Sequence, residues 1–170
     1  ADMSADAIKT VDFPPAYGAD IVVSCEKAKD PKNGSIYLKP TQFVLGIGCR
    51  RDTAFENIDR AIRQSLLKLQ IDISDIDMIA SIDVKKDEPG IKKFCDRNRI
   101  EFVTYTADEL MAVQGEFSAS QFVREHVGVD NVCERAAVLA CSRECNEAGE
   151  LIYKKHKYDR VTVAAARYPD

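Results

Sequence analysis

The sequence predicts an α/β fold: a three-layer α/β/α sandwich around a mostly parallel sheet, with a mixed, antiparallel C-terminal hairpin. From residue 42 onward, short apolar runs of strand length alternate with segments of helical period. The chain also ends on two strand-like runs that are separated only by a polar turn, which is hairpin spacing. Its 170 residues, 45% of them hydrophobic, are enough for such a core without a metal or disulfide.

The first forty residues differ in character from the rest of the chain. They contain a Pro-Pro pair and a polar run over residues 27–34, and only residues 21–24 and 35–38 look like strands. A segment of this length and polarity has no room for a complete hydrophobic core. We therefore predict an extension at residues 1–40, the tail of a preceding region, and one domain at residues 41–170.

Five apolar runs mark the strands of this domain. The first is short, ends in glycines and fits a strand that is buried on both faces. The last combines valines with small alanines, which also suits a buried strand. The predicted strands are residues 43–47, 78–82, 101–105, 151–154 and 161–166.

Capping residues mark the helix starts between these strands. Thr53 is followed three residues later by Glu56, and Thr106 by Glu109, so both pairs fit a capping box. Pro89 suits the first turn of another helix. The remaining predicted helices cover residues 118–126 and 131–141, and the second of them has Asp130 as its N-cap.

Composition excludes several classes of function. A net charge of −4 and a pI of about 5.3 argue against a general binder of nucleic acid or of anionic membranes. No apolar run approaches the ~20 residues of a membrane span, and the acidic N-terminus lacks the apolar core of a signal peptide. The six cysteines form no C-x-x-C pair, which is typical of reduced thiols, so we expect a cytoplasmic protein.

The first motif is the predicted strand-to-helix turn Gly46-Ile47-Gly48-Cys49-Arg50-Arg51. Ligands bind at such turns in open α/β sheets, glycines allow close approach, and free amides at the helix start favour an anion. Arg50 and Arg51 would add bidentate contacts to a carboxylate or phosphate. A tight turn with two solvated arginines is the alternative. The motif is not a dinucleotide fingerprint, which needs Gly where Arg51 stands, and no Gly-Lys-Ser/Thr follows it to make a Walker loop.

Cys49 lies in the same turn. Its position near a helix N-terminus and two arginines could lower its pKa and make it a nucleophile. No histidine is close to it in the sequence, because the chain contains only His126 and His156. Composition favours the alternative, a small residue that fills space beneath the loop.

A second polar cluster follows the next predicted strand, at the same edge of the sheet. It combines Ser81, Asp83, Lys85 and Glu88. Asp83 or Glu88 could act as a general acid or base if desolvated. For Glu88 we favour the alternative, a helix-start carboxylate stabilised by the macrodipole. For Ser81 and Asp83 the functional and structural interpretations are equally supported.

The third motif is Gly128-Val129-Asp130-Asn131-Val132-Cys133-Glu134-Arg135. By composition alone, Asp130 is a helix cap, and Glu134 with Arg135 is the solvated face of that helix. Cys141 and Cys145 are one helical turn apart, but structural zinc sites usually have tighter pairs, so we expect no metal site.

Taken together, these motifs resemble the C-terminal domain of the cobalamin biosynthesis protein CbiG, which also occurs alone as the small protein CobE. The similarity runs from about residue 38 to the C-terminus, and it includes Glu88-Pro89-Gly90 and Phe117-Ser118 in the family's order. The segment before Pro40 resembles the run-in from the middle of CbiG. This resemblance implies that the chain is a fragment of that longer protein.

The chain departs from the family's pattern in two turns. The family commonly has Gly after the two arginines, where this chain has Asp52. In its last hairpin the family usually has Pro-Lys and then Gly before the final strand, where this chain has Tyr153-Lys154 and Arg160. The final strand is kept while the turn chemistry of the last hairpin is not, and Asp52 changes the local charge of the first turn.

The resemblance implies a role in the anaerobic route to vitamin B12, as the C-terminal part of a cobalt-precorrin-5A hydrolase that opens a lactone and releases acetaldehyde. The implied ligand is a cobalt-precorrin, a flat macrocycle ringed with carboxylates. Cobalt is expected only within this substrate, and no resident cofactor is expected. The implied partners are the N-terminal and middle regions of CbiG and other enzymes of the pathway, without nucleic acid or membrane.

The site residues expected on this basis fall into two groups. Gly46, Gly48, Cys49, Arg50, Arg51, Ser81, Lys85, Asp130 and Asn131 are expected to bind the substrate, and Asp83, Glu88 and Glu134 to be catalytic. The sequence does not assign roles among the three carboxylates. Two alternatives also stay open: a non-catalytic tetrapyrrole carrier, and a structural partner for the rest of CbiG.

Overall fold

The chain forms two compact units, residues 1–41 and residues 42–170. A computed structural model describes residues 9–11, 21–23, 36–38, 43–118, 131–145 and 147–169. The first unit contains three short strands, β1 (Lys9–Val11), β2 (Ile21–Val23) and β3 (Ile36–Leu38). β2 pairs antiparallel with β1 and parallel with β3. The sequence pattern indicated β2 and β3 but gave no sign of β1.

The second unit is built on a five-stranded sheet with the strand order β6-β5-β4-β8-β7. β4, β5 and β6 are parallel, and β8 runs antiparallel to its neighbours β4 and β7. This arrangement confirms the predicted mostly parallel sheet with an antiparallel C-terminal hairpin. The strands are β4 (Phe43–Cys49), β5 (Ile76–Ile82), β6 (Glu101–Tyr105), β7 (Glu150–Lys157) and β8 (Val161–Arg167).

Helices cover both faces of this sheet, as predicted for a three-layer sandwich. α1 (Phe55–Leu69) and α2 (Pro89–Asn98) pack on one face. α3 (Ala107–Ala112) and α4 (Val132–Cys145) pack on the other. We call these the α1–α2 face and the α3–α4 face. Short 3-10 turns, Ile73–Asp75 and Asp83–Lys85, lie at the two ends of β5.

The side chains of the central strands alternate between two hydrophobic cores. Leu45 and Ile47 of β4 are fully buried under α1 and α2, whereas Val44 is fully buried on the α3–α4 face. Ile79 and Ala80 of β5 divide in the same way. Burial on both faces is why these strands appear in the sequence as continuous apolar runs.

The helix starts agree with the sequence at two of the predicted caps and differ at a third. Thr106 and Glu109 form the predicted capping box, and Pro89 is the first residue of α2. The capping box predicted for Thr53 was wrong, because α1 begins after Ala54, which has no side-chain cap. The Thr53 hydroxyl instead donates to the carbonyl of Arg50 at 2.6 Å. Residues 119–130, with the predicted cap Asp130 and most of the predicted helix 118–126, lie outside the described residues.

One edge of the sheet collects the carboxyl ends of β4, β5, β6 and β7 and the start of β8. The chain passes from β4 through α1 to β5, and from β5 through α2 to β6. It then crosses back through α3 and α4 to β7, on the other side of β4. The direction of winding therefore reverses at the carboxyl end of β4. Open α/β sheets bind ligands at such a switch point. Within the described residues, no helix is long and apolar enough to cross a membrane.

Candidate functional site

The turn after β4 is held to the β7–β8 turn by two hydrogen bonds, one between backbone groups and one from a side chain. The Arg50 amide donates to the Arg160 carbonyl at 3.0 Å, and an Arg160 guanidinium nitrogen donates to the Arg51 carbonyl at 3.0 Å. The side chains of Arg50 and Arg51 are exposed, and no ion pair joins either of them to a described carboxylate. Both guanidinium groups are therefore available to an anionic ligand at the switch point.

The two positions where the chain departs from the family's glycines both have left-handed backbone. Asp52 has φ 55° and Arg160 has φ 62°. This region favours glycine, although aspartate tolerates it better than most residues. The left-handed conformation that suits glycine is present at both positions, and the residues there carry charge that glycine lacks.

The turn after β5 carries a buried ion pair that reaches across to the turn after β4. Glu88 is only 5% exposed, and one of its carboxylate oxygens accepts the Thr53 amide at 3.2 Å. The other oxygen accepts the Lys85 ammonium at 3.1 Å. Both oxygens of Glu88 therefore have partners within the protein, which favours a role in fixing the two turns. Catalysis by Glu88 stays a prediction.

Ser81 and Asp83 have different surroundings in this cluster. Ser81 is fully buried, and its hydroxyl donates to the Ile47 carbonyl at 2.7 Å, so it links β5 to β4. Asp83 is half-buried at the start of the 3-10 turn, and no side-chain hydrogen bond or ion pair joins its carboxylate to the described residues. Of the three carboxylates predicted to be catalytic, Asp83 is the one that could accept a proton from a ligand or water.

The two glycines of β4 differ in what surrounds them on the α3–α4 face. A Cβ atom at Gly46 would lie 1.7 Å from the carbonyl oxygen of Cys133 in α4. At Gly48 it would lie 2.7 Å from the Thr162 hydroxyl, which can rotate away. Gly46 therefore permits the close packing of α4 on the sheet, whereas Gly48 is half-buried and lies near the carboxyl end of β4.

The first turn of α4 is built around a fully buried carboxylate. Glu134 accepts the Ser118 amide and hydroxyl, both at 2.8 Å, and the Lys155 amide at 2.6 Å. Asn131 donates to the Ser118 carbonyl at 2.8 Å and accepts the Glu134 amide at 3.2 Å. Asn131 thus makes the capping contact at this helix start, and Glu134 joins three separate segments. This part of the third motif is not the solvated helix face that its composition indicates.

Burial opposes ionisation of Glu134, but the hydrogen bonds outweigh it. The amides of Lys155 and Ser118 and the Ser118 hydroxyl all donate to its oxygens, and together they hold the pKa of Glu134 below its usual value. An ionised carboxylate whose oxygens already accept three hydrogen bonds is a poor proton acceptor. The contacts favour a structural role for Glu134, and its predicted catalytic role is untested.

Burial raises the pKa of the Cys49 thiol to about 11, and the nearby charges of Lys85 and Arg160 lower it only in part. The thiol is therefore protonated at neutral pH. This supports the interpretation of Cys49 as a packing residue over its interpretation as a nucleophile.

We expect alkylation of Cys49 by iodoacetamide at pH 8 to be about a hundredfold slower than that of an unfolded cysteine, since only the thiolate reacts. Because the pKa is raised, the rate should keep increasing from pH 8 towards pH 11. Peptide-resolved mass spectrometry after timed quenching measures this rate, and the urea-unfolded chain is the reference. Fast alkylation of the folded chain at pH 7 would contradict it.

The β7–β8 hairpin supplies site residues that the sequence analysis missed. Lys154 and Lys157 are exposed, Lys155 is half-buried, and Arg160 contacts the turn after β4. The signal was present as Lys154-Lys155-His156-Lys157, but its place next to the switch point depends on the strand order. The hairpin makes the carboxyl edge of the sheet more cationic than the chain as a whole.

This edge can bind an anion at several points. Exposed arginines stand beside the switch point, and the hairpin lysines lie two strands away. Among the residues that the structure describes, no group of three or more His, Cys, Asp or Glu side chains could hold a metal ion. Asp130, expected to bind substrate, lies outside that part of the chain.

Comparisons with known proteins show which family and which characterised relatives this chain resembles. The family model described as "Cobalamin synthesis G C-terminus" matches residues 43–166. The chain is 38% identical over 102 residues to the cobalt-precorrin-5A hydrolase of Salmonella typhimurium, covering 60% of this chain and 29% of that protein. It is 30% identical over 138 residues to the cobalt-precorrin-5A hydrolase of Priestia megaterium, covering 81% and 35%.

A solved structure shares the fold. The crystal structure of CobE, a protein from the cobalamin (vitamin B12) biosynthetic pathway, superimposes with a TM-score of 0.72 at 26% identity. The match covers 77% of this chain and 93% of CobE. The chain thus spans most of CobE, but only 29% and 35% of the two hydrolases.

Proposed function

Because the chain belongs to the cobalamin synthesis G C-terminus family, we propose that it acts in cobalamin biosynthesis as the C-terminal part of a cobalt-precorrin-5A hydrolase. In this proposal the domain binds the carboxylate-rich macrocycle at the carboxyl edge of its sheet. The proposed reaction of the whole hydrolase is opening of a lactone with loss of a two-carbon fragment as acetaldehyde.

The observation that carries the proposal is the cationic switch point. Arg50 and Arg51 are exposed where the chain reverses its winding, and they have no described carboxylate as a partner. A guanidinium group binds a carboxylate through two parallel hydrogen bonds. The local charge is positive although the net charge of the chain is −4, and the local field decides which ligands enter a cleft.

Asp83 is the carboxylate that best fits a chemical role in this proposal. Hydrolytic opening of a lactone needs a base that activates water. Asp83 is half-buried at the same edge, whereas the oxygens of Glu88 and Glu134 accept hydrogen bonds from their own protein. We therefore propose Asp83 as the base, and Glu88 and Glu134 as positioning residues.

A non-catalytic tetrapyrrole carrier is the second candidate function. The internal contacts of Glu88 and Glu134 favour it, because they leave one carboxylate for acid–base work where the sequence indicated three. A carrier would bind the macrocycle and leave it unchanged.

We expect Arg50→Ala to weaken binding of cobalt-precorrin-5A about tenfold, the effect of losing one partly solvated charge-assisted contact. The measurement is an absorption titration of the 170-residue chain. Arg63→Ala is the control, since Arg63 pairs with Asp59 on the exposed surface of α1. Lactone opening changes the chromophore and carrier binding only shifts it, so spectra recorded with the chain joined to the rest of the hydrolase separate the two functions. Equal affinity of Arg50→Ala and wild type would contradict the proposal.

A further inference from the structure

The edge strand β7 is irregular where it passes the start of α4. Tyr153 pairs with Ala165 of β8, and His156 pairs with Val163, so three steps along β7 match two steps along β8. This is a β-bulge with one extra residue, and it follows another register shift between Leu151 and Tyr153. Bulges change the face to which the following side chains point.

The bulge is held by the buried carboxylate of α4. The Lys155 amide donates to Glu134 at 2.6 Å. The bulge also leaves Tyr153 and His156 on the same face, where their rings stack with centroids 4.1 Å apart and planes 8° from parallel. Glu134 and this stacked pair together fix the strand in its bulged register.

The consequence is the position of Lys157. In an unbroken strand, Tyr153 and Lys157 would share the α1–α2 face, because alternate residues do. With the extra residue, His156 takes that face and Lys157 pairs with Thr162, which pairs with Gly48. Paired residues of neighbouring strands share a face, so Lys157, Thr162 and Gly48 form a row on the α3–α4 face.

This row crosses the switch point. Neighbouring strands are about 4.8 Å apart, so the backbone of Lys157 lies roughly 10 Å from that of Gly48. Between Lys157 and the turn that carries Arg50 lie Thr162 and Gly48, and Gly48 has no side chain. Lys157 is exposed, and no ion pair joins it to a carboxylate within the described ranges. The nearby Asp159 accepts a hydrogen bond from Asn57.

We infer that Lys157 is a specificity-determining residue that binds a carboxylate of the macrocycle other than the one bound by Arg50, and that the Glu134-anchored bulge places it on the correct face. This inference rests on the proposed function and names a contact within it. A wide ligand ringed with carboxylates can reach both cations at once across the Gly48–Thr162 gap. A small monocarboxylate can reach only one of them.

The test measures affinity of the 170-residue chain for cobalt-precorrin-5A by absorption titration at low salt. We expect Lys157→Ala to weaken binding about five- to tenfold, with a smaller effect at high salt because the contact is partly solvated. The control is Arg63→Ala, which removes an exposed cation of α1 that pairs with Asp59. The decisive variant combines Lys157→Ala with Gln64→Lys, which keeps the net charge but moves it to the exposed surface of α1, on the α1–α2 face. It should bind as weakly as Lys157→Ala alone.

The outcomes separate this inference from the proposed function. If Arg50→Ala weakens binding and Lys157→Ala does not, the inference is overturned and the proposed function stands. If neither variant changes the affinity, both are overturned. If the combined variant binds like wild type, only net charge matters, and the face-specific role of Lys157 is wrong.

Discussion

Replacing Glu134 by alanine is expected to lower the free energy of unfolding by about 3–5 kcal/mol, because three hydrogen-bond donors lose their buried acceptor at a cost of roughly 1–3 kcal/mol each. The variant would leave the Ser118 amide, the Ser118 hydroxyl and the Lys155 amide without their acceptor. It would also remove the contact that holds the bulge of β7, the strand that carries Lys157. Urea unfolding followed by circular dichroism measures the loss.

The matched control is Glu56→Ala. Glu56 also lies in the first turn of a helix, but it is exposed and caps nothing. We expect Glu56→Ala to cost less than about 1 kcal/mol, the scale of a macrodipole contact. An equal loss in the two variants would contradict the structural role of Glu134.

The pH dependence of the stability difference between wild type and Glu134→Ala gives a second check. Hydrogen bonds to the charged form hold the pKa of Glu134 below its usual value. A carboxylate whose folded pKa is depressed adds stability above its unfolded pKa and loses it as the pH falls through the folded pKa. The stability difference between wild type and Glu134→Ala should therefore be full near pH 7 and should shrink in acid.

Local patterns were enough to predict the framework of this fold. Apolar runs gave the five strands of the main sheet, because central strands buried on both faces leave a continuous signal. Thr106 and Pro89 marked helix starts correctly, because their capping contacts lie within one helical turn. Strand β1 was not predicted, since Lys9-Thr10-Val11 contains one apolar residue, whereas β2 and β3 consist of apolar residues throughout.

Long-range partners explain where the sequence analysis failed. Thr53 does not cap α1 because its amide donates to Glu88, 35 residues away, and its hydroxyl to Arg50. Glu134 resembled a solvated helix residue because its acceptor role depends on Ser118 and Lys155, which the fold brings from two other segments. No spacing within one element contains this information.

The residues of the candidate site also fall into two classes, those that a local pattern predicts and those whose position depends on long-range contacts. Arg50 and Arg51 could be predicted, because glycines and arginines at a strand-to-helix turn have a known use in α/β sheets. Lys157 could not, since its face depends on a bulge whose cause lies in α4. The charged run at residues 154–157 contains no information about strand order. The strand order is what brings this run close to the switch point.

Gly46→Ala is expected to destabilise the fold severely, with a loss of more than about 4 kcal/mol or failure to fold. The added Cβ would lie 1.7 Å from the Cys133 carbonyl oxygen and 2.6 Å from its carbon, both of them backbone atoms. Gly46 pairs with Ala80 on one side and Ala164 on the other, so β4 cannot bend away. α4 would have to separate from the sheet, and the core on the α3–α4 face would open.

Gly48→Ala distinguishes this packing requirement from a general need for glycine in β4. Its Cβ would lie 2.7 Å from the Thr162 hydroxyl, a side-chain atom that can move at the cost of its hydrogen bond to the Gly48 carbonyl, so we expect a loss below about 1.5 kcal/mol. Soluble yield, near-ultraviolet circular dichroism and urea unfolding compare the two variants. A folded Gly46→Ala chain as stable as Gly48→Ala would show that α4 packs less closely on β4 than the 1.7 Å approach requires. In that case the placement of Asn131 and Glu134 beside the switch point would have to be revised as well.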